Sequence, residues 1–309
     1  MLALFLCSST ACYLDGEGFR DTVEKTFQVS EGGNLKIQTD MGSIEVRSGQ
    51  QDRVSVRVVM KAHAHTREKA RKILRDFQIN MEKNGNDVVV NADYKHKKRW
   101  FRFFGSNRLN VRFEVSVPSV FNVNLKTSGG SISVSDLKGR VETRTSGGSL
   151  HFGMIQGPVV GRTSGGSIRL EGCSGNTDLR TSGGSITLGK VKGEVDAHTS
   201  GGSIRVEEVM GTIQASTSGG SITASVSEQP AGNCRLTTSG GTIRLYLAEG
   251  LKMNIDARTS GGRVRTEFPV EVTLTGEMSR RKLNGKINGG GPEFYLRTSG
   301  GGIYIKRLE

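Results

Sequence analysis

A tetrapeptide, Thr-Ser-Gly-Gly, recurs nine times in this chain of 309 residues and constrains the fold more than any other feature. The copies keep one constant spacing from Thr127 to Thr217, and the later copies are spaced more widely. A fixed period of this kind indicates a repeat architecture in which each unit packs on its neighbours. The copies begin at Thr127, Thr145, Thr163, Thr181, Thr199, Thr217, Thr238, Thr259 and Thr298, and a degenerate copy begins at Thr39.

Apolar and polar residues alternate on both sides of each tetrapeptide. Apolar residues stand four positions before the Thr and five and seven positions after it, so each arm is a short strand with one buried face. Ser-Gly-Gly marks a corner between the arms, where we expect the glycines to take positive φ without strain. The repeated Thr shares parity with the buried positions. We therefore expect its hydroxyls to point inward and to bond to one another and to the corner backbone.

Two or three short strands in each repeat, stacked in register, predict an all-β fold: a single-stranded parallel β-helix, or solenoid, of 18-residue coils. About ten coils at about 4.8 Å each give a rod about 50 Å long. Cys173 and Cys234 fall in buried columns three coils apart. That separation is too large for a disulfide, and we expect both to be buried small side chains.

Residues 20–120 lack the regular repeat and predict a small basic α+β module that caps the first edge of the solenoid. Thr66–Phe77 predicts a helix with Thr66 as its N-cap, and Asn84-Gly85-Asn86 predicts the turn of a hairpin. Leu109–Val117 predicts a further strand. The expected division is therefore a leader and linker over 1–19, the capping module over 20–120 and the solenoid over 121–309.

The first twelve residues resemble an export signal. An apolar run precedes small residues and Cys12, as at the end of a secretory signal or of a lipoprotein signal in which Cys12 is lipidated. No cation precedes the run, and Ser9 stands three positions before Cys12 where a lipoprotein signal has Leu; an apolar N-terminus without a signal is the alternative. We expect an exported protein that is periplasmic, membrane-anchored or at the cell surface.

Function must lie on the outward positions of the coils. The column one residue before each Thr is mostly basic, and the column three residues before it holds several acids, so ion pairs are expected between the two. Two interpretations stay open, a solvated face that compensates its own charge and a stripe that binds an anionic polymer. The expected pairs are Glu142 with Arg144, Asp178 with Arg180, Asp196 with His198, and Asp256 with Arg258. The candidate stripe is Lys126, Arg144, Arg162, Arg180, Arg258 and Arg297.

The segment 95–108 contains six cations, four aromatic residues and no acid. It lies in the most basic region of the chain, since residues 61–112 hold 14 Lys or Arg against 5 Asp or Glu, a net of +9 out of +13. Its composition suits a membrane anchor in which cations meet anionic headgroups and rings enter the interface. An exposed loop is the alternative, and nucleic acid is not expected as a partner of an exported protein. The candidate interfacial residues are Lys95, Lys97, Lys98, Arg99, Trp100, Phe101, Arg102 and Phe103.

Motifs for catalysis, nucleotide binding or metal binding are absent from the sequence. There is no G-x-S-x-G, P-loop, C-x-x-C or H-E-x-x-H, and His63 and His65 lie two residues apart outside any such motif. Polysaccharide-active enzymes also use parallel β-helices, but their sites need acids and bases on extended loops, and the coils over 127–230 have no insertions. We therefore expect no enzymatic activity, no cofactor and no metal.

With the repeat Thr-Ser-Gly-Gly-Ser-Ile in view, the chain resembles the bacterial putative-adhesin family over about residues 30–309. The resemblance extends to Gly42–Val46, to Val117-Pro118 and to the terminal Thr298–Ile305. It implies a β-solenoid and an envelope-associated or surface-exposed protein, and it supplies no catalytic residues. The chain departs from the pattern in the long gap between Thr259 and Thr298, where Phe268–Asn288 is expected to form a hairpin excursion.

These features favour an adhesin-like or scaffold module of the cell envelope that is not an enzyme. Its partner would be an envelope or surface polymer, such as an anionic one, or a membrane surface. Two alternatives stay open at this point. One is a scaffold that self-associates by stacking its solenoids, and the other is a polysaccharide-active enzyme.

Overall fold

A computed structural model describes residues 13–15, 18–49, 52–95, 109–272 and 279–308. The predicted all-β solenoid is confirmed, since these residues form 28 strands and one helix, and the strands of the repeats pair in parallel. Two sheets run along the stack, and each repeat contributes one main strand to each sheet. Among the described residues, no helix combines the length and the apolarity needed to cross a bilayer.

The larger sheet, sheet A, contains the strands that follow each corner. In spatial order they are β1 (Tyr13–Asp15), β2 (Gly18–Gln28), β5 (Arg53–Ala62), β8 (Leu109–Val117), β4 (Ser43–Ser48), β10 (Ile132–Val134), β13 (Leu150–Gln156), β15 (Ile168–Cys173), β17 (Ile186–Val191), β19 (Ile204–Val209), β21 (Ile222–Val226), β23 (Ile243–Leu247), β28 (Ile303–Arg307) and β25 (Val264–Thr266), with β11 (Leu137–Lys138) beside β13.

The second sheet, sheet B, contains the strands that precede each corner. In spatial order they are β6 (Phe77–Asn84), β7 (Asp87–Tyr94), β3 (Asn34–Thr39), β9 (Asn122–Lys126), β12 (Val141–Arg144), β14 (Val159–Arg162), β16 (Thr177–Arg180), β18 (Val195–His198), β20 (Ile213–Thr217), β22 (Cys234–Thr238), β27 (Glu293–Thr298), β24 (Met253–Thr259) and β26 (Lys282–Ile287).

The register between coils follows the period of the repeat. Val141 lies opposite Val159 in sheet B, and Leu150 lies opposite Ile168 in sheet A. All four side chains are at most 1% exposed. Because most inward positions of each coil carry an apolar residue that lies opposite the matching position of the next coil, the inward columns merge into one continuous core between the two sheets.

The repeated Thr lies buried at the corner, as predicted, in all nine copies. Thr181 Oγ1 donates to the carbonyl of Gly166 in the neighbouring coil at 2.7 Å. It also accepts weakly from the backbone N–H of Gly184, in its own corner, at 3.4 Å. The equivalent Thr–Gly bond occurs in the other eight full copies, at 2.6–2.9 Å. The hydroxyl therefore joins one coil to the next through the backbone, and not through the other Thr hydroxyls as we also expected.

The reason for the second glycine of the Gly-Gly pair differs from the prediction. The glycines of the nine full copies do not have positive φ; in the degenerate copy Gly42 does, with φ of 106°. What demands glycine is the approach of stacked corners, because a Cβ built on Gly148 would lie 2.1 Å from the carbonyl oxygen of Gly130. Positive φ occurs instead at Gly139 and Gly157, which lie between a sheet A strand and the sheet B strand that follows it in the chain.

The coil stack begins within residues 20–120. Strands β3 and β4, on either side of the degenerate copy, pair in parallel with β9 and β10, and β7 and β8 add one more coil outside them. Antiparallel strands then extend both sheets: β5, β2 and β1 beyond β8, and β6 beyond β7. The strands of 20–120 are thus continuous with those of the repeats, and whether this region folds as a separate unit stays a prediction.

The local features predicted for this end are present. Helix α1 (Arg67–Asp76) follows Thr66, whose hydroxyl accepts from the backbone N–H of Lys69 at 3.3 Å. Ala70 and Leu74 are its buried residues, and it packs against β5, β2 and β6. Strands β6 and β7 form the predicted hairpin. Together these elements form the cap expected at the first edge of the solenoid.

At the C-terminal end the order of the coils in space differs from their order in the chain. The last coil, β27 and β28, lies between the coil of β22 and β23 and the coil of β24 and β25. Strand β26, within the segment expected as a hairpin excursion, pairs antiparallel with β24 and ends sheet B. A bridge between Glu271 and Lys286 adds a short antiparallel contact, while residues 273–278 lie outside the described part of the chain.

Cys173 and Cys234 are buried and not disulfide-bonded, as predicted. The thiol of Cys173 donates to the carbonyl of Gly157 at 3.0 Å. Burial raises the pKa of Cys173 above its usual value and raises the pKa of Cys234 to about 11. Both groups therefore stay protonated at neutral pH, and they act as packing residues rather than nucleophiles.

Candidate ligand-binding faces

The candidate stripe lies on the outward face of sheet B, in two groups. Lys126 lies opposite Arg144, Arg144 opposite Arg162, and Arg162 opposite Arg180, so four cations occupy four consecutive coils. The second group is Arg258 and Arg297, which face each other at the far end of the sheet. Three coils that carry His198, Ser216 and Thr237 in the same column separate the two groups.

Two of the four consecutive cations are compensated by acids. Asp178 accepts from Arg180 Nε at 2.8 Å and from Arg162 Nη2 at 3.0 Å, and Asp196 accepts from Arg180 Nη2 at 2.9 Å. Partial burial would raise the pKa of Asp178, but the hydrogen bonds and charges of the two arginines outweigh it and lower that pKa. The expected pair within β16 thus exists, and the network also links three coils.

Lys126 and Arg144 are exposed, and neither forms an ion pair with any residue that the structure describes. The expected pair of Glu142 with Arg144 is not formed. The pair of Asp196 with His198 is not formed either, because Asp196 binds Arg180 while Nδ1 of His198 lies 2.6 Å from Oγ of Ser216. The uncompensated charge of the stripe is therefore concentrated at its N-terminal end.

The second group is held by one carboxylate and one ring. Asp256 accepts from Arg258 Nε at 3.2 Å, as expected, and from Arg297 Nη2 at 2.5 Å. The guanidinium carbon of Arg297 lies 3.9 Å from the ring centroid of Tyr295, and that of Arg235 lies 4.1 Å from it. The two cations next to Tyr295 are thus ordered by cation–π contacts.

Most of the candidate interfacial residues lie outside the part of the chain that the structure describes. Lys97, Lys98, Arg99, Trp100, Phe101, Arg102 and Phe103 lie outside the described residues, as does the candidate lipidation site Cys12. Lys95 is described at the end of β7, where its backbone N–H donates to the carbonyl of Asp76 at 2.9 Å. The membrane-anchor interpretation of this segment stays a prediction.

Sequence reasoning missed a group of arginines at the C-terminal end of sheet A. Arg263, Arg265, Arg280 and Arg281 line one cleft there, although the two pairs lie well apart in the chain. One signal was visible, because Arg263 takes the position that Ser or Thr holds in most of the other copies. Elsewhere among the described residues, no group of three or more His, Cys, Asp or Glu side chains is placed to hold a metal ion.

A family model described as Toastrack DUF4097 matches residues 33–306 of this chain. The chain belongs to the Toastrack family. The Toastrack match begins at the coil of β3 and β4 and ends within β28. It thus covers both the irregular coils and the nine full repeats. A comparison with curated proteins gives no match.

Solved structures similar to this Toastrack chain share little sequence with it. A putative cell adhesion protein from Clostridium sporogenes is 11% identical, with 93% of this chain and 100% of that chain covered and a TM-score of 0.23. A putative adhesin from Bacteroides fragilis is 11% identical, with 93% and 97% covered and a TM-score of 0.33. A putative lipid binding protein from Parabacteroides distasonis is 12% identical, with 93% and 97% covered and a TM-score of 0.37.

Proposed function

We propose that this protein is a binding module of the cell envelope, without enzymatic activity, that holds an anionic surface polymer along the outward face of sheet B. The observation that carries the proposal is the register of Lys126, Arg144, Arg162 and Arg180. These cations recur once per coil, at about 4.8 Å. A flexible polyanion with closely spaced charges can contact several of them at once.

The contacts act collectively. A single exposed ion pair contributes about 0.2–1 kcal/mol, which is too little to hold a ligand. A row of cations on a rigid sheet binds successive charges of one chain, so that each contact after the first is intramolecular. The rigidity of the row comes from the parallel ladder beneath it, which fixes every coil to its neighbours.

The uncompensated end of the row is where binding begins in this proposal. Lys126 and Arg144 have no ion pair with described residues, and exposed Lys36 lies on the adjacent strand β3, opposite Asn124. Asp178 and Asp196 reduce the charge of the next two coils. The acids thus set where along the row a polyanion is held most strongly.

A Lys126→Gln/Arg144→Gln variant is expected to bind heparin, a sulfated probe polymer, about 10-fold more weakly than the wild type. Asp178→Asn is expected to bind heparin more tightly, because it releases Arg162 and Arg180. Both differences should shrink as salt is raised, because the charges are exposed. Isothermal titration at low and at physiological salt measures them.

The matched control is Arg169→Gln/Arg205→Gln, which removes two exposed arginines from the outward face of sheet A. It lowers net charge by the same amount and should leave heparin affinity within about 2-fold of the wild type. Equal losses in both double variants would mean that heparin responds only to overall charge. That result, or an unchanged heparin affinity in Asp178→Asn, would contradict the proposal that the stripe binds a polyanion.

Export is part of the proposal and rests on the apolar run and small residues before Cys12. In the native host, we expect the protein in the membrane or envelope fraction, with Cys12 as the diacylglyceryl-modified first residue. Fractionation followed by mass spectrometry of the N-terminal peptide measures both. An intact Met1 in the cytosolic fraction would contradict export and, with it, the envelope role.

A further inference from the structure

A cleft of about 490 Å³ opens at the C-terminal end of sheet A, beside the corner that joins β24 to β25. Arg263 and Arg265 line it from that coil, Arg280 and Arg281 from the segment before β26, and Tyr304 from β28. Three corner glycines form the rest of its lining and contribute no side chains. Arginine therefore supplies four of the five side chains of the residues that line the cleft, and tyrosine supplies the fifth.

Backbone hydrogen bonds hold the two arginine pairs together. The N–H of Val264 donates to the carbonyl of Arg280 at 2.9 Å, and the N–H of Thr259 donates to the carbonyl of Arg281 at 2.9 Å. Strand β26 continues this segment as the antiparallel partner of β24. Since these bonds use main-chain atoms, the four guanidinium groups remain available to a ligand.

The cleft coincides with a break in the repeat. Most copies have Ser or Thr after Gly-Gly, but Gly302 and Arg263 hold this position in the two coils that line the cleft. A Cβ on Gly302 would lie 2.9 Å from Cε2 and 3.1 Å from Oη of Tyr304, so the ring lies across this glycine. Tyr304 in turn is opposite Arg265 in the register. At this position Gly302 leaves space for the ring of Tyr304, and Arg263 adds a cation.

The charge of the cleft is not compensated by the described residues. Arg263, Arg265, Arg280 and Arg281 are exposed and form no ion pair there, and no acid lines the cleft. Glu267, which follows β25, accepts from the backbone N–H of Arg307 at 3.0 Å and lines a neighbouring cleft. Four like charges held close together repel one another, and a multiply charged anion would relieve that repulsion.

We propose that this cleft binds a phosphate group, either as the free ion or as part of a polymer. A guanidinium matches two oxygens of a phosphate with two parallel N–H bonds, and such charge-assisted bonds are about twice as strong as neutral ones. The Tyr304 hydroxyl supplies a further donor. Arg281 also lines a neighbouring cleft with Arg258 and Arg297 of the sheet B stripe, whereas Arg263, Arg265 and Arg280 do not. The site therefore goes beyond the proposed function, and Arg263→Gln tests it separately from the stripe.

The test is titration of the full chain with inorganic phosphate and, in a second arm, with polyphosphate. The variant is Arg280→Gln/Arg281→Gln, which keeps the backbone bonds to Val264 and Thr259. Arg263→Gln is a second variant from the other side of the cleft. We expect each to weaken phosphate binding about 10-fold or more. Arg169→Gln/Arg205→Gln is the control and should change it by less than about 2-fold.

Circular dichroism and melting temperature confirm that each variant is folded before titration. Saturable phosphate binding that is lost in both cleft variants supports the site with the free ion as ligand. Cleft-dependent binding of polyphosphate alone supports it with a polymer as the source. No saturable binding of either probe, or equal loss in the control, overturns it. A Lys126→Gln/Arg144→Gln variant that still binds phosphate separates this result from the stripe.

Discussion

Gly148→Ala is expected to destabilise the protein by about 3 kcal/mol or more. Its Cβ would lie 2.1 Å from the carbonyl oxygen of Gly130 and 2.4 Å from the backbone nitrogen of Ser131. Both are backbone atoms, so no side chain can rotate away. The two coils would have to separate at the corner and weaken the bond from Ile132 N–H to the carbonyl of Ser149, which is 3.0 Å long.

The preceding residue provides the control. A Cβ on Gly147 would meet its nearest neighbours, the carbonyl oxygens of Gly129 and Ser128, at 3.9 Å, which is ordinary contact. Neither Gly147 nor Gly148 has positive φ, so backbone strain does not separate the two variants. Urea unfolding followed by circular dichroism should place Gly147→Ala near the wild type. Equal destabilisation by both substitutions would contradict the stacking explanation.

Replacing Thr by the isosteric Val is expected to change stability in opposite directions at two buried positions. Thr181→Val removes the donor to the carbonyl of Gly166 and should cost about 1–2 kcal/mol. Thr143→Val should stabilise by about 1 kcal/mol, because burying a hydroxyl without a partner is costly. The hydroxyl of Thr143 is buried without a hydrogen-bond partner in the structure, between Leu125 and Gly161 in its column.

The same urea titration measures both Val variants. Thr181→Ser is a useful companion, because it keeps the hydroxyl and loses only the methyl group. It should retain more stability than Thr181→Val if the hydroxyl is what links the coils. A loss of stability in Thr143→Val would show that its hydroxyl has a partner such as a buried water. If Thr181→Val is as stable as the wild type, the hydroxyls of the Thr column do not stabilise the stack.

Much of the fold was predictable because it follows from patterns that are local in the sequence. The alternation around Val141 and Leu150 fixes which face of each strand is buried. Because the spacing between corners is constant, equivalent positions of successive coils lie opposite each other when the coils stack. The inward direction of the Thr column followed from the same parity. The helix at Thr66 followed from a capping residue and an apolar face.

Other features depend on contacts between coils, which the period does not specify. The distance between Gly148 and Gly130 is a property of the stack, so the sequence indicated that glycine was needed but not why. Asp196 pairs with Arg180 of the neighbouring coil rather than with His198 of its own strand, because Arg180 lies diagonally across from Asp196, opposite His198, within reach of a long side chain. The four arginines of the cleft meet only because β26 folds back onto β24.

The last coil of the chain lies between two earlier coils, and this order in space affects how the number of coils can change. Between Thr127 and Thr199 each coil meets the next at the same register, so adding or deleting one repeat there leaves every neighbour's contacts unchanged in kind. The coil of β27 and β28 is different, because it is wedged between β22/β23 on one side and β24/β25 on the other. Its two faces must fit two unlike partners at once. We therefore expect the stack to tolerate gain or loss of a repeat in the middle of the rod and to lose stability when the same change is made at this end.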